Sequence, residues 1–200
     1  MRHWICIVLI FSLLFALAGC GLSGGPTEAD RIMEKYSSGG TVLADARICF
    51  TGQYSTLTLT VHWQGSAEDS RLTVSAPGEL EGLTLWVKDG AEVSLQGTTL
   101  YTGHIGSYPQ SPVTVLPYAL SLWQTGYMAD CTRDKKEGRE ALVTRQTDDD
   151  GGTLYTWFDR ESSLPFFLEW VYNEHVVLSA ALEDVTFTPS AKQSEVRKNG

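Results

Sequence analysis

The sequence predicts a mainly β domain with a small helical part, an α+β protein built around an antiparallel sheet. Apolar residues alternate with polar ones along many short segments, turn-forming residues separate these segments, and only two stretches have helical spacing. Roughly ten or eleven strands follow from this pattern, each with one apolar face. These strands must curl around their apolar side, as a closed barrel or as a half-open barrel covered by the helices.

The N-terminus has the layout of a secretory signal. Arg2 precedes an apolar run of about 15 residues, which is shorter than the roughly 20 that a spanning helix needs. Small residues then lead into Cys20, and a cysteine at such a site resembles the bacterial lipobox. The resemblance implies a diacylglyceryl group on the thiol, cleavage before Cys20 and N-acylation of the new terminus. The alternative is an ordinary signal peptide with an incidental cysteine.

These features predict four segments. Residues 1–19 are a lipoprotein signal peptide, 20–26 a lipidated flexible tether, 27–188 the folded domain and 189–200 a disordered polar tail. The predicted location is the extracytoplasmic face of the cell membrane, with the protein held there by its lipid. Several acyl chains make such anchoring effectively permanent.

The first half of the domain begins with a predicted helix over residues 27–36, with Thr27 as N-cap and Gly39 at its end. From Asp45 onward the chain is nearly all strand, and 55–63 alternates most strictly. The same alternation predicts strands over 71–76, 83–87 and 91–95, with Asp89 and Gly90 as a hairpin turn.

A proline-rich stretch, 103–127, interrupts this rhythm and predicts a central helical insert over 116–123, a lid for the barrel. A second set of strands follows. These strands are predicted over residues 128–133, 141–147, 152–158, 165–172, 176–181 and 185–188.

Two cysteines remain once Cys6 is removed with the signal and Cys20 is lipidated. Cys49 and Cys131 can form a disulfide outside the cytoplasm, where such bonds persist. The alternative is two separate buried thiols that act as small apolar residues.

The charge of the chain excludes some partners. Its net charge is −9 and it has no basic cluster, so it is a poor ligand for nucleic acid, where phosphate contacts dominate affinity. The histidines are scattered, and the acidic run 148–150 lacks the ligand spacing of a calcium loop. Asp159 and Glu161 lie at a turn rather than across a cleft. The sequence therefore predicts no catalytic residue, no metal site, no cofactor beyond the lipid, and no enzyme.

The inward-facing apolar residues are the remaining candidates for a site. They predict either a packed core or an apolar cavity for an acyl chain. The candidate cavity residues are Leu57, Leu59, Val61, Trp63, Leu72, Val74, Leu83, Leu85 and Trp123.

Residues 71–77 (RLTVSAP) followed by 85–90 (LWVKDG) resemble the first half of the LolA/LolB-like lipoprotein-sorting superfamily. Residues 157–159, Leu164 with Pro165, and 185–187 resemble its second half, and the similarity spans roughly 27–188. It implies an incomplete antiparallel barrel with a helical lid over an apolar cavity. In its carriers the cavity holds acyl chains.

Within that superfamily, the lipobox and small size resemble the germination lipoproteins of the GerS type. That resemblance implies a protein partner, a cell-wall amidase needed during spore germination. A lipid-anchored chain cannot diffuse freely with its cargo, so we expect a membrane-bound protein that binds a partner or an apolar ligand. The alternative is a carrier or acceptor in lipoprotein sorting that uses the apolar cavity.

Overall fold

The computed structural model describes residues 28–52, 55–88, 91–101, 111–112, 114–125, 128, 130–148 and 151–190. The predicted signal peptide, Cys20, the tether, Thr27, the turn at Asp89 and Gly90, and the tail from residue 191 lie outside the described residues. The predictions for these segments therefore stay predictions.

Two helices and eleven strands make up the described chain. The helices are α1 (Glu28–Ser37) and α2 (Val115–Thr125), and a short 3-10 turn covers Gly78–Leu80. The strands are β1 (Gly40–Thr51), β2 (Thr56–Gly65), β3 (Ser70–Ala76), β4 (Thr84–Val87), β5 (Ala91–Leu95), β6 (Thr98–Tyr101), β7 (Asp130–Lys136), β8 (Arg139–Thr147), β9 (Thr153–Asp159), β10 (Pro165–Tyr172) and β11 (His175–Pro189).

All eleven strands form one sheet in the order β6-β5-β4-β3-β2-β1-β11-β10-β9-β8-β7, and the neighbouring strands are antiparallel. The sheet ends at β6 on one side and at β7 on the other, so it does not close. The half-open alternative is therefore confirmed, and so is the predicted mainly β class with an N-terminal and a central helix.

Three strand predictions need correction. The two predicted strands over 176–181 and 185–188 are one strand, β11. An irregularity at Asp184, which takes a positive φ of 50°, shifts the register with β1. The strand continues across this irregularity and stays paired with β1 on both sides of it. β1 begins at Gly40 rather than near Asp45. β6 was not predicted, because its residues TTLY do not alternate in the period-2 pattern.

The core lies between the helices and one face of the sheet, which we call the inner face. The ring of Tyr36 in α1 contacts that of Phe187 in a tilted arrangement at 4.5 Å, and Trp123 of α2 contacts Phe158 edge-on at 5.6 Å. The rings of Tyr36 and Trp123 also meet at 5.6 Å, so the two helices share one aromatic contact above the sheet. Both side chains are almost fully buried.

Polar contacts fix α1 on the sheet. Its Tyr36 hydroxyl donates to the carbonyl of Ser163 at 3.1 Å, and burial raises the pKa of that phenol. At the other end, the Glu28 carboxylate accepts from Arg160 at 2.8 Å and from Arg133 at 3.0 Å. The hydrogen bond from Arg160 and then that from Arg133 lower the pKa of Glu28.

The structure does not form the Cys49–Cys131 disulfide, one of the two alternatives that the sequence left open. Both thiols are free and partly buried. Cys49 lies in β1 and Cys131 in β7, with four strands between them, or roughly 24 Å along the sheet. Cys131 packs against the core on the inner face, whereas Cys49 alternates with the inward Ile48. The alternative interpretation, two separate thiols, describes the structure.

Candidate functional site

One row of apolar residues crosses six strands on the inner face, and we call it the inner apolar row. Its members are cross-strand partners in sequence, each facing the next. They are Ala44, Trp63, Leu72, Leu85, Val93 and Leu100. The row is continuous because directly paired residues on neighbouring strands project from the same face of the sheet.

The exposure of this row rises toward the free edge of the sheet. Leu72 is 0 % exposed and Leu85 4 %, Val93 is half-buried, and Leu100 on β6 is 63 % exposed. Three strand spacings separate Leu72 from Leu100, which is roughly 14 Å. An apolar surface thus leads from solvent at the sheet edge into the packed interior.

Of the nine predicted cavity residues, two lie outside the closed interior and seven lie inside it. Leu83 is half-buried and Leu57 is 38 % exposed, so neither lies in the closed interior. The other seven are buried in one packed cluster, and their identities are Leu59, Val61, Trp63, Leu72, Val74, Leu85 and Trp123.

Three surface depressions of about 220 to 600 Å³ are formed by described residues, and other side chains line them. None of the nine predicted cavity residues lines these three depressions. The role of those residues in binding an acyl chain stays a prediction.

Polar side chains interrupt the apolar interior beneath α2, at a place that we call the interior polar patch. It consists of Thr144, Gln146, Thr156 and Trp170, which are at most 1 % exposed. The Trp123 indole donates to Thr156 Oγ1 at 3.1 Å, and Gln146 Nε2 donates to the carbonyl of Leu122 at 2.7 Å. Both bonds tie α2 to the sheet.

Three atoms of the patch have no hydrogen-bond partner among the described residues. They are Thr144 Oγ1, Gln146 Oε1 and Trp170 Nε1. An unsatisfied polar group in an apolar interior is costly and rare in folded proteins. This patch was not predicted from the sequence, because Thr144, Gln146 and Thr156 occupy inward positions of strands that we predicted only by their apolar residues.

A polar depression of about 400 Å³ lies at the turn between β9 and β10, beside Asp159, Leu164 and Arg139. The Asp159 carboxylate accepts from the Ser162 backbone at 2.9 Å, and that bond is the largest of the causes that lower its pKa. Arg139 Nη2 lies 3.6 Å from the same carboxylate. These contacts stabilise a turn, as we expected for Asp159.

The outer face carries an aromatic cluster that the sequence did not predict. The Lys136 ammonium lies 4.5 Å from the ring of Trp157 and 4.1 Å from that of Phe167, and 2.7 Å from Glu169. The Trp157 indole donates to Asp134 at 3.0 Å. The long Lys136 side chain leaves Trp157 only 7 % exposed, so the chain itself covers this cluster.

The described residues contain no group of three or more His, Cys, Asp or Glu side chains arranged to hold a metal ion. His62 pairs with Asp45 at 2.9 Å on the outer face, and His175 is exposed. Within the same described ranges, no helix is both long and apolar enough to span a bilayer.

Fold and site together define an open antiparallel half-barrel. The two helices contact its inner face over β8 to β11, and the inner apolar row becomes exposed at β6. No family model matches the sequence, and no curated protein matches it. Several solved structures are similar to it at low identity.

A putative outer membrane lipoprotein-sorting protein domain from Vibrio parahaemolyticus has 12 % identity and a TM-score of 0.44, over 86 % of this chain and 96 % of that one. A LolA superfamily protein from Nitrosomonas europaea has 10 % identity and a TM-score of 0.37, over 82 % and 96 %. The lipoprotein LppX from Mycobacterium tuberculosis has 13 % identity and a TM-score of 0.39, over 82 % and 95 %. One of these three structures is thus that of a LolA superfamily protein.

Proposed function

We propose that this protein is a non-enzymatic, membrane-anchored lipoprotein that binds the acyl chain of a lipid or of another lipoprotein along the inner apolar row. The observation that carries the proposal is the continuous row of apolar side chains from the exposed Leu100 to the buried Leu72. An acyl chain has no polar group to satisfy, so an uncharged row of this kind suits it.

Covering the exposed end of the row with an apolar ligand would lower the free energy. Burying a leucine side chain completely is worth about 1.5–3 kcal/mol, and Leu100 is still 63 % exposed. A ligand that covers Leu100 and the half-buried Val93 gains part of that free energy. The acylated Cys20 would hold the protein at the membrane, where acyl chains are abundant.

A matched pair of leucine substitutions tests the binding site. Leu100→Glu places a charge on the row, whereas Leu43→Glu places one at a leucine that is 41 % exposed on β1, outside the row. We expect Leu100→Glu to weaken binding of a fluorescent fatty acid at least tenfold and Leu43→Glu to leave it unchanged. Equal affinities of the two variants would contradict the proposal.

The anchor is tested separately. Labelled palmitate enters the wild-type chain and not Cys20→Ala if Cys20 is acylated. Label that persists in Cys20→Ala removes the lipoprotein part of the proposal and leaves the binding site untouched.

A protein partner is the second candidate, and the tight packing of the interior favours it, since Trp63, Leu72 and Trp123 are at most 2 % exposed. The germination role and the cell-wall amidase belong to this candidate and come from the sequence resemblance alone. Affinity purification from envelope extracts tests it, and specific recovery of an amidase supports it. Purification of the bait without an amidase argues against the germination role.

A further inference from the structure

We infer that the interior polar patch receives the neutral oxygen-bearing group of an amphiphile, such as the ester and hydroxyl of an acylated glycerol, while the hydrocarbon lies against the neighbouring apolar side chains. The inference rests on the proposed function and specifies which lipids the inner face prefers. It starts from three buried atoms that lack a hydrogen-bond partner among the described residues: Thr144 Oγ1, Gln146 Oε1 and Trp170 Nε1.

The patch extends over three adjacent strands on one face. Thr144 and Gln146 are two residues apart on β8 and therefore lie side by side on the inner face. Thr144 faces Thr156 across the pair, and Trp170 lies in the row of Gln146, beyond Leu154. The exposure of these side chains, at most 1 %, leaves no bulk water to satisfy them.

The chemistry of the unpartnered atoms defines the ligand group. The indole N–H of Trp170 only donates, the Gln146 oxygen only accepts, and the Thr144 hydroxyl does either. An ester carbonyl accepts from Trp170 or Thr144, and a glycerol hydroxyl donates to Gln146. An alkane satisfies none of these atoms, so it leaves their desolvation cost in place.

The surroundings of the patch select against a charged head group. The adjoining inward positions are apolar, and they are Leu142, Leu154, Phe158 and Leu168. A carboxylate or phosphate would be buried there without a counter-ion, which costs far more than burial of a neutral ester. The side chains of α2 that contact the patch are also neutral, namely Tyr118 against Trp170 and Trp123, which donates to Thr156.

A pair of probes with and without the polar group tests the inference. The full chain carrying Cys20→Ser, which removes the predicted acylation site, is titrated with a pyrene-labelled dodecanoylglycerol and with pyrene-labelled dodecane. We expect the chain with the unaltered patch to bind the glyceride more tightly than the alkane. Thr144→Val keeps the shape of the side chain and removes the hydroxyl, and we expect it to weaken glyceride binding about five- to tenfold without affecting the alkane.

Thr58→Val is the matched control, because Thr58 is exposed on β2 and its loss should change neither affinity. Trp170→Phe is a second test of the patch and should also weaken binding of the glyceride alone. A peptide with a diacylglyceryl cysteine then distinguishes a lipoprotein ligand from a free glyceride. Weaker binding of either the peptide or the glyceride by Thr144→Val supports the inference.

Two results overturn it. If Thr144→Val and Trp170→Phe bind both probes as the unaltered patch does, the unpartnered atoms are satisfied by buried water only, and the proposed function survives. If the unaltered chain binds neither probe, both the proposed function and this inference are wrong.

Discussion

Gly152 is the position where one added methyl group should be most damaging. A Cβ atom at this buried residue would lie 2.1 Å from Cζ2 and 2.8 Å from Cε2 of Trp170. The indole is 0 % exposed and contacts Tyr118 edge-on at 5.6 Å, so it has no free space into which to move. Gly152→Ala must therefore shift either the indole or the backbone.

The size of the effect follows from this clash. Overpacking a dense core typically costs about 1–3 kcal/mol, and here the displaced group is the full indole of Trp170, so we expect the upper part of that range. No positive φ constrains Gly152, so the cost is steric and not conformational. For a domain of this size, a loss of about 2–3 kcal/mol lowers the Tm by roughly 4–12 °C.

Urea unfolding of Gly152→Ala, followed by tryptophan fluorescence and circular dichroism, measures the loss. Gly78→Ala is the control, because nothing lies within 4 Å of a Cβ there, and its stability should stay level or rise by up to about 1 kcal/mol. The double variant with Trp170→Phe should recover at least about 1 kcal/mol of the Gly152→Ala loss. If the loss is the same with tryptophan and with phenylalanine at position 170, the steric explanation is wrong.

Three further predictions concern single groups. Tyr36→Phe removes the hydrogen bond to Ser163, so it should lower the free energy of unfolding by about 1 kcal/mol in urea titrations. Because the pKa of Asp159 is lowered in the fold, its stabilising effect is present above its unfolded pKa and is lost as the pH falls through the folded value. Stability titrations of Asp159→Asn should therefore show a smaller loss on acidification below about pH 4. Burial raises the pKa of the Cys131 thiol, so alkylation of that residue should need a more alkaline pH than alkylation of a free peptide thiol, and it should need no reductant.

The sequence predicted most of the strands because their apolar residues alternate along the inner face. Strand β10, over 165–172, was predicted to the residue, and the buried phase of β2 from Leu59 to Trp63 was assigned correctly. Both elements are eight residues or longer, and their buried apolar residues recur at alternating positions, so the local pattern predicts them despite the register shifts in their pairing. The central helix was also predicted, although its true extent is longer by a residue or two at each end.

Other features depend on contacts between distant residues, and the local pattern does not contain them. The continuity of β11 through Asp184 follows from its pairing with β1, where the register shifts. The exposure of Leu57 follows from its place at the end of β2, and its neighbours in sequence do not reveal it. The same limit applies to the cysteines, whose separation is fixed by the strand order alone.

Under the proposed function, the two parts of the inner face would impose different conditions on an acyl ligand. At the edge, Leu100 and Val93 offer an apolar surface that would accept any hydrocarbon chain, whereas beneath α2 the unpartnered Thr144 Oγ1 and Gln146 Oε1 would favour a neutral oxygen-bearing group. An apolar surface supplies affinity without much discrimination, because each added methylene contributes a similar free energy. A buried polar group supplies discrimination, since a ligand that lacks the matching atom leaves it unsatisfied. Mutations at the edge should therefore change affinity for all acyl ligands, and mutations in the patch should change only the choice among them.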